Sequence, residues 1–209
     1  PKPKKKFQFH LPDFPVTIWV TLGLFCIMAF ARRFDESYLA LQVENIAGKV
    51  NTELYTGWIS ATAAAGGVIA GFLIGHLMDR FSAMRVAVCA VLMSIVLVLT
   101  QGFATNLWVL AFARFGAFFA ASGLEPVFLT ILSRNTPDGR RGQIFGWSAL
   151  FRTFGMVIAA PLGGVVIYSL GVRSVYVAAA AAFLLLLPYL YGMQKLFRSA
   201  SAEGNRSIL

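Results

Sequence analysis

The fold class the sequence predicts is an all-α membrane protein built from six transmembrane helices. Three observations carry that reading. Of 209 residues, 58% are apolar and 13% charged; the mean hydropathy is +0.72; and six apolar runs are each long enough to cross a bilayer, which takes about 20 residues of helix. Soluble domains have roughly a quarter of their residues charged. A water-soluble core of this length cannot absorb so much apolar surface.

Taken in order, the runs extend over Phe14–Val43, Leu54–Met78, Met84–Phe103, Leu107–Leu132, Gln143–Ser169 and Val175–Phe197. The organisation is therefore a basic leader over residues 1–13, a bundle over 14–197 and a tail over 198–209. Connections are short: Ala104, Thr105 and Asn106 join the third run to the fourth, and Leu170 to Ser174 join the fifth to the sixth. The first run is too long for a secretory signal and lacks a cleavage pattern of small residues.

Charge sets the orientation. The net charge is +9, which in a soluble protein suggests nucleic acid; here the basic residues lie between apolar runs, so a lipid surface is the expected partner and nucleic acid is not. Lys2, Lys4, Lys5, Lys6, Arg80, Arg85, Arg134, Arg140, Arg141, Lys195, Arg198 and Arg206 fall on one side, and only Lys49 and Arg173 on the other. Cytoplasmic loops carry the excess of Lys and Arg, so both ends are expected inside.

Membrane helices associate through small residues that let backbones approach. Ala63, Gly67, Gly71 and Gly75 recur every four residues in the second run, Ala113, Ala117 and Ala121 in the fourth, and Gly155, Ala159 and Gly163 in the fifth. Each is read as a packing ridge. Cys26 and Cys89 are read as packing residues, and Tyr55, Trp58, Trp108, Tyr168 and Tyr176 as anchors at the outer edge.

The loop after the second run, Gly75-His76-Leu77-Met78-Asp79-Arg80-Phe81-Ser82-Ala83-Met84-Arg85, resembles the cytoplasmic signature G-x-L-x-D-R-x-G-R-[KR]-[KR] of the major facilitator superfamily. Ser82 stands where that signature has glycine, and Ala83 and Met84 where it has basic residues. Pro137 to Gly146 is similar to the family's P-x-x-x-R-G-x-x-x-G, and Ala31 to Leu39 to the seventh helix of its drug-exporter-like members. Ala160-Pro161-Leu162-Gly163-Gly164 is similar to the G-P-x-x-G-G of antiporters but one residue short, so no exchange mechanism is carried over from it. Gly164 to Arg173 repeats the outline of Gly75 to Arg85.

The resemblance implies two inverted three-helix repeats, forming one half of a twelve-helix major facilitator fold. The basic leader is similar to that family's central loop, which makes this the carboxyl-terminal half and the amino-terminal six-helix half its partner. The implied activity is secondary transport of a small molecule by alternating access, as proton-coupled efflux of drug-like compounds across a bacterial inner membrane. Gly75, Asp79, Arg80 and Arg85 become a conformational latch, since charges in a short loop can exchange partners as bundles rock.

Charges inside spans mark the chemistry, because a central charge costs about 2.5–3.5 kcal/mol on insertion scales and is kept facing a bundle interior or wet cavity. On the first run, Arg32, Arg33, Asp35 and Glu36 are close enough in sequence to pair along the helix. They form either a coupling cluster or a solvated outer rim, about 27 Å from Phe14 at 1.5 Å per residue. Arg114 and Glu125 of the fourth run lie about 16 Å apart along the axis, so each needs a partner on another helix; Arg152 is one possible mate for Glu125. Glu125 precedes Pro126, a helix weak point. It is taken as the coupling carboxylate, with Asp35 and Glu36 more peripheral. The resemblance places Arg114 in or near proton coupling, with a structural ion pair as the alternative.

Phe30, Phe34, Phe118, Phe119, Trp147 and Phe151 lie near these charges and form either a cation-tolerant pocket or core packing. No cofactor is implied. An intramembrane Ser/His protease needs a histidine deep in a late span, and no His follows His76, so the chain is not read as an enzyme. The other readings are a six-helix protein that homodimerises into a transporter and a membrane scaffold without transport activity.

Overall fold

The structure, a computed structural model, describes residues 14–134, 136 and 139–206; the side chains of Gly75, Asp79, Arg134 and residues 193–206 lie outside that description. The expected leader, residues 1–13, also lies outside it. The described residues form α1 (Val16–Glu36), α2 (Leu39–Ala47), α3 (Thr52–Arg80), α4 (Ala83–Gly102), α5 (Leu107–Ser122), α6 (Leu124–Arg134), α7 (Arg141–Leu170) and α8 (Val172–Arg206), with no strand among them. Because α1 and α2 run on as one span, and α5 and α6 as another, the described residues give six helices long and apolar enough to cross a membrane. The span boundaries shift by a few residues from those read in the sequence, and α8 continues past Phe197 to Arg206.

Packing reveals the internal symmetry. The α1 helix packs on α7 and α8, α5 packs on α3 and α4, and α4 packs on α8. Exchanging the first three spans for the last three returns the same set of contacts. Since three spans cross an odd number of times, successive units traverse the bilayer in opposite directions, which is the packing of an inverted repeat. At the centre, Leu22, Phe25 and Met28 of α1 meet Val91 of α4, Phe128 of α6 and Phe183 of α8. Outward faces expose Val68, Phe72, Val96, Phe112 and Val165. Apolar exposure on that scale in a soluble protein would mark an aggregation surface; around a membrane bundle it is the lipid face.

Both composite spans are interrupted, for different reasons. Pro126 has no N–H and its ring clashes with the carbonyl four residues back, so α5 ends at Ser122 and α6 starts at Leu124, with Gly123 N–H turning back to Ala120 O at 3.2 Å. No Gly or Pro lies at the Ser37–Tyr38 break. There the Tyr38 ring inserts against α7, its hydroxyl donates to the Ala160 carbonyl, and a side chain at Gly163 would collide with it, a Cβ lying 2.4 Å from the ring. A tertiary contact holds that break open.

The small-residue ridge on α7 seats α1: a Cβ at Gly155 would stand 2.3 Å from the Cys26 carbonyl oxygen, and Ala159 and Gly163 are buried. On α3 the ridge read in the sequence lies on the contact face over its first half, where Ala63 is buried and a Cβ at Gly67 would stand 3.1 Å from Ser122 Oγ, and leaves it afterwards. Ile59, Ala63, Gly66, Ala70 and Ile74 are buried, and a Cβ at Gly66 would meet the Phe115 carbonyl oxygen at 2.5 Å. Gly71 has nothing within 4 Å, and Gly75 falls among the side chains not described. Spacings of three and four alternate along a straight helix, so a strict interval of four drifts off the contact face. Tyr176 is likewise no edge anchor: it is fully buried, seated where Gly102 has no side chain. Cys89 is exposed rather than packed.

Candidate functional site

Two carboxylates stand beside the two helix interruptions, and each is held by an arginine from another span. Asp35 lies three residues before Tyr38. Its Oδ2 accepts from Arg114 Nη1 at 2.6 Å, with side-chain exposures of 5% and 1%. The same Nη1 donates to Gln101 Oε1 at 3.0 Å, and Gln42 Nε2 donates to the Gln101 carbonyl at 3.3 Å. This is a buried polar knot joining α1, α2, α4 and α5. Arg114 Nε and the Tyr176 hydroxyl are buried without a hydrogen-bond partner.

Glu125, in the first turn of α6, is ion-paired with Arg152 of α7, and their side chains are 30% and 39% exposed. The pairing left open by helix spacing is thus formed. A carboxylate in a first helical turn is also stabilised by the free N–H groups there. Within the bundle Asp35, 3% exposed, is the more buried acid and Glu125 the more accessible. Distance along the first run could not show this, because Asp35 points at α5 across the bundle rather than along its own helix.

The remaining charges of the first span divide. Arg33 and Glu36 pair at 2.9 Å with both side chains more than 40% exposed, which is the solvated-rim arrangement. Arg32 instead turns inward and lies within electrostatic range of Glu125, Glu36, Arg152 and Asp35. Its guanidinium sits 5.5 Å from the centre of the Phe118 ring, and that of Arg114 sits 5.1 Å from the same ring. Phe118 therefore belongs to the charge cluster. Phe30 packs on Phe34 at 4.9 Å between ring centres. Trp147 and Phe151 form an aromatic cluster with Trp19, while Phe119 lines an apolar groove on the α3 and α4 side.

At the cytoplasmic-type loop, Arg80 ends α3 and Arg85 Nε donates to Ser82 Oγ at 3.1 Å. Ser82 has φ −63° and ψ 136°, ordinary extended backbone, so this turn has no need of the glycine that the family signature carries. The Asp79 and Gly75 side chains are outside the described residues.

Sequence reasoning missed Tyr38, Gln42, Gln101 and Tyr176. The two glutamines left a signal, being polar residues inside apolar runs; Tyr38 left none, since its role depends on a slot in α7.

Comparison with known proteins agrees with this architecture. A family model described as Major Facilitator Superfamily matches residues 25–206. An uncharacterised MFS-type transporter, YuxJ of Bacillus subtilis, is 25% identical over 199 residues, covering 95% of this chain and 50% of that protein. The multidrug resistance protein MdtG of Salmonella arizonae is 29% identical over 147 residues, covering 70% of this chain and 36% of that protein. The chain thus spans half or less of the length of these relatives.

Proposed function

Since the chain belongs to the major facilitator superfamily, we propose that it forms one six-helix half of a secondary active transporter, with an amino-terminal half as its companion and both ends in the cytoplasm. The observation that carries this reading is the Glu125–Arg152 pair with Arg32 beside it. These charges are half-exposed in this chain, and charge at that depth does not face lipid. Their face is the side of the bundle that lines a wet, alternately opened path against a companion.

Chemically the cluster suits proton coupling. A proton carrier must meet water, and Glu125 does so where Asp35 does not. The coupling step is placed at Glu125 because its partner Arg152 comes from another span, so a helix movement can exchange that partner. The Asp35–Arg114 knot, closed to water, ties the interrupted first span to the fourth and keeps the bundle moving as one body. The substrate class we infer is drug-like organic compounds, carried outward across a bacterial inner membrane; MdtG is named for multidrug resistance, and Ala31 to Leu39 resembles drug-exporter helices. The loop around Arg80 and Arg85 acts as the latch between conformations.

The test is transport by the full-length protein in proteoliposomes, using a panel of drug-like compounds with and without an imposed proton gradient. Gradient-dependent accumulation supports the reading. Failure of every compound to respond to the gradient, in vesicles where the protein is folded, leaves a scaffold role. A second copy of this chain is the other companion that the charged face admits, and the mass of the native assembly distinguishes the two.

A further inference from the structure

We propose that Arg32 binds the anionic end of a ligand, a singly charged organic carboxylate or an oxyanion of similar shape. The inference rests on reading the chain as part of a transporter, and it names the chemical class of ligand that this charge cluster takes. In the cluster, Asp35 is held by Arg114, Glu125 by Arg152 and Glu36 by Arg33. Arg32 is the arginine left over: among the described residues it makes neither an ion pair nor a hydrogen bond, and Phe118 is its one cation–π contact.

Three features make this more than an idle charge. Contact with an aromatic face positions the guanidinium without using its N–H groups, so the planar fork that matches a carboxylate remains free. Arg32, Arg33, Arg114 and Arg152 face Asp35, Glu36 and Glu125, so the cluster holds one more positive than negative charge, an excess that an added anion offsets. Arg32 is also partly exposed, near Glu125 and Arg152 on the side assigned to the transport path, where a small molecule can reach it. Phe118 supplies apolar surface at the same point, which favours an organic anion over an inorganic one.

The anion has two possible sources, a ligand or an acidic side chain elsewhere in the full-length protein, and one experiment separates them. Purified full-length protein in detergent is equilibrated with radiolabelled 1-naphthoate or its neutral counterpart 1-naphthamide, with empty micelles subtracted. Naphthoate is expected to bind at least about tenfold more tightly, as charge-assisted hydrogen bonds to a guanidinium imply. Arg32→Gln should erase that preference, Arg32→Lys should keep part of it, and Arg173→Gln, exposed at the start of α8, should leave it intact. Melting temperatures of the three variants report folding. Equal binding of acid and amide by the parent overturns the proposal, as does a preference that survives Arg32→Gln. Equal binding together with a lowered melting temperature for Arg32→Gln assigns the anion to the protein itself, and also overturns it. Because this readout is binding without a gradient, its failure is distinct from failure of gradient-driven transport.

Discussion

Arg114 and Asp35, 79 residues apart in sequence, meet at 2.6 Å in the middle of the bundle with both side chains closed to solvent. Their ion pair joins the first span to the fourth, the two spans that are interrupted and that correspond to each other under the inverted repeat.

Removing one partner leaves the other charge buried and unmatched, a loss of about 3–5 kcal/mol. Asp35→Leu and Arg114→Leu are each expected to lower the melting temperature of the detergent-solubilised full-length protein sharply. Asp35→Leu combined with Arg114→Leu should recover much of the loss, because the double change removes both charges. A double variant as damaged as the sum of the single ones would show that the two residues act independently.

Glu125→Gln removes the carboxylate we propose as the proton carrier while keeping the shape of the side chain. It is expected to abolish accumulation of substrate driven by a proton gradient, yet to retain substrate binding and substrate exchange without a gradient. Normal accumulation by this variant in proteoliposomes would leave Glu125 a structural partner of Arg152 and move the coupling role elsewhere.

Close approach separates two glycines that look alike in the sequence. Gly155→Ala drives a methyl group into the α1 backbone at Cys26, an overpacking expected to cost about 1–3 kcal/mol. Gly71→Ala meets nothing within 4 Å and should not destabilise, alanine being the better helix former by up to about 1 kcal/mol. Thermal melting of the two variants side by side checks the contrast, and equal losses would contradict the packing of α1 on α7.

Orientation is open to thiol labelling once Cys26 and Cys89 are replaced by alanine. Cysteines at Thr105 and Arg173 should react with an impermeant reagent added to intact cells, and cysteines at Phe81 and Gln143 only after the cells are opened. These positions spare the Asn106 side chain, which caps α5 by accepting from the Trp108 N–H at 2.8 Å, and Gly139, whose φ of 93° suits glycine alone. The reversed labelling pattern would invert the topology.

How much of this was legible beforehand follows from the range over which each interaction acts. Hydropathy is a local property, so six spans, their short connections and their near boundaries stand in the sequence. A proline acts on its own helix, which is why the weak point at Glu125-Pro126 was visible. The Gly155, Ala159 and Gly163 ridge was visible too, since three small residues on one face have one direction to share. The Ser37–Tyr38 interruption was not. It exists because Tyr38 reaches a slot at Gly163 and a carbonyl at Ala160, more than a hundred residues away in the chain.

Charge pairing divides along the same line. The sequence by itself determined that Arg32, Arg33, Asp35, Glu36, Arg114, Glu125 and Arg152 must find company, since isolated charge in a membrane is costly. It put Glu36 within reach of both Arg33, three residues away, and Arg32, four away, and left the choice between them open. Only the tertiary structure decided that Asp35 turns away from Arg32 toward Arg114, that Asp35 rather than Glu125 is sealed from water, and that Arg32 is left with a phenyl ring and no acid. Helical periodicity fixes which way a side chain points from its own axis, but the helix that receives it is chosen by how six axes pack together, and that choice sets which charges can meet.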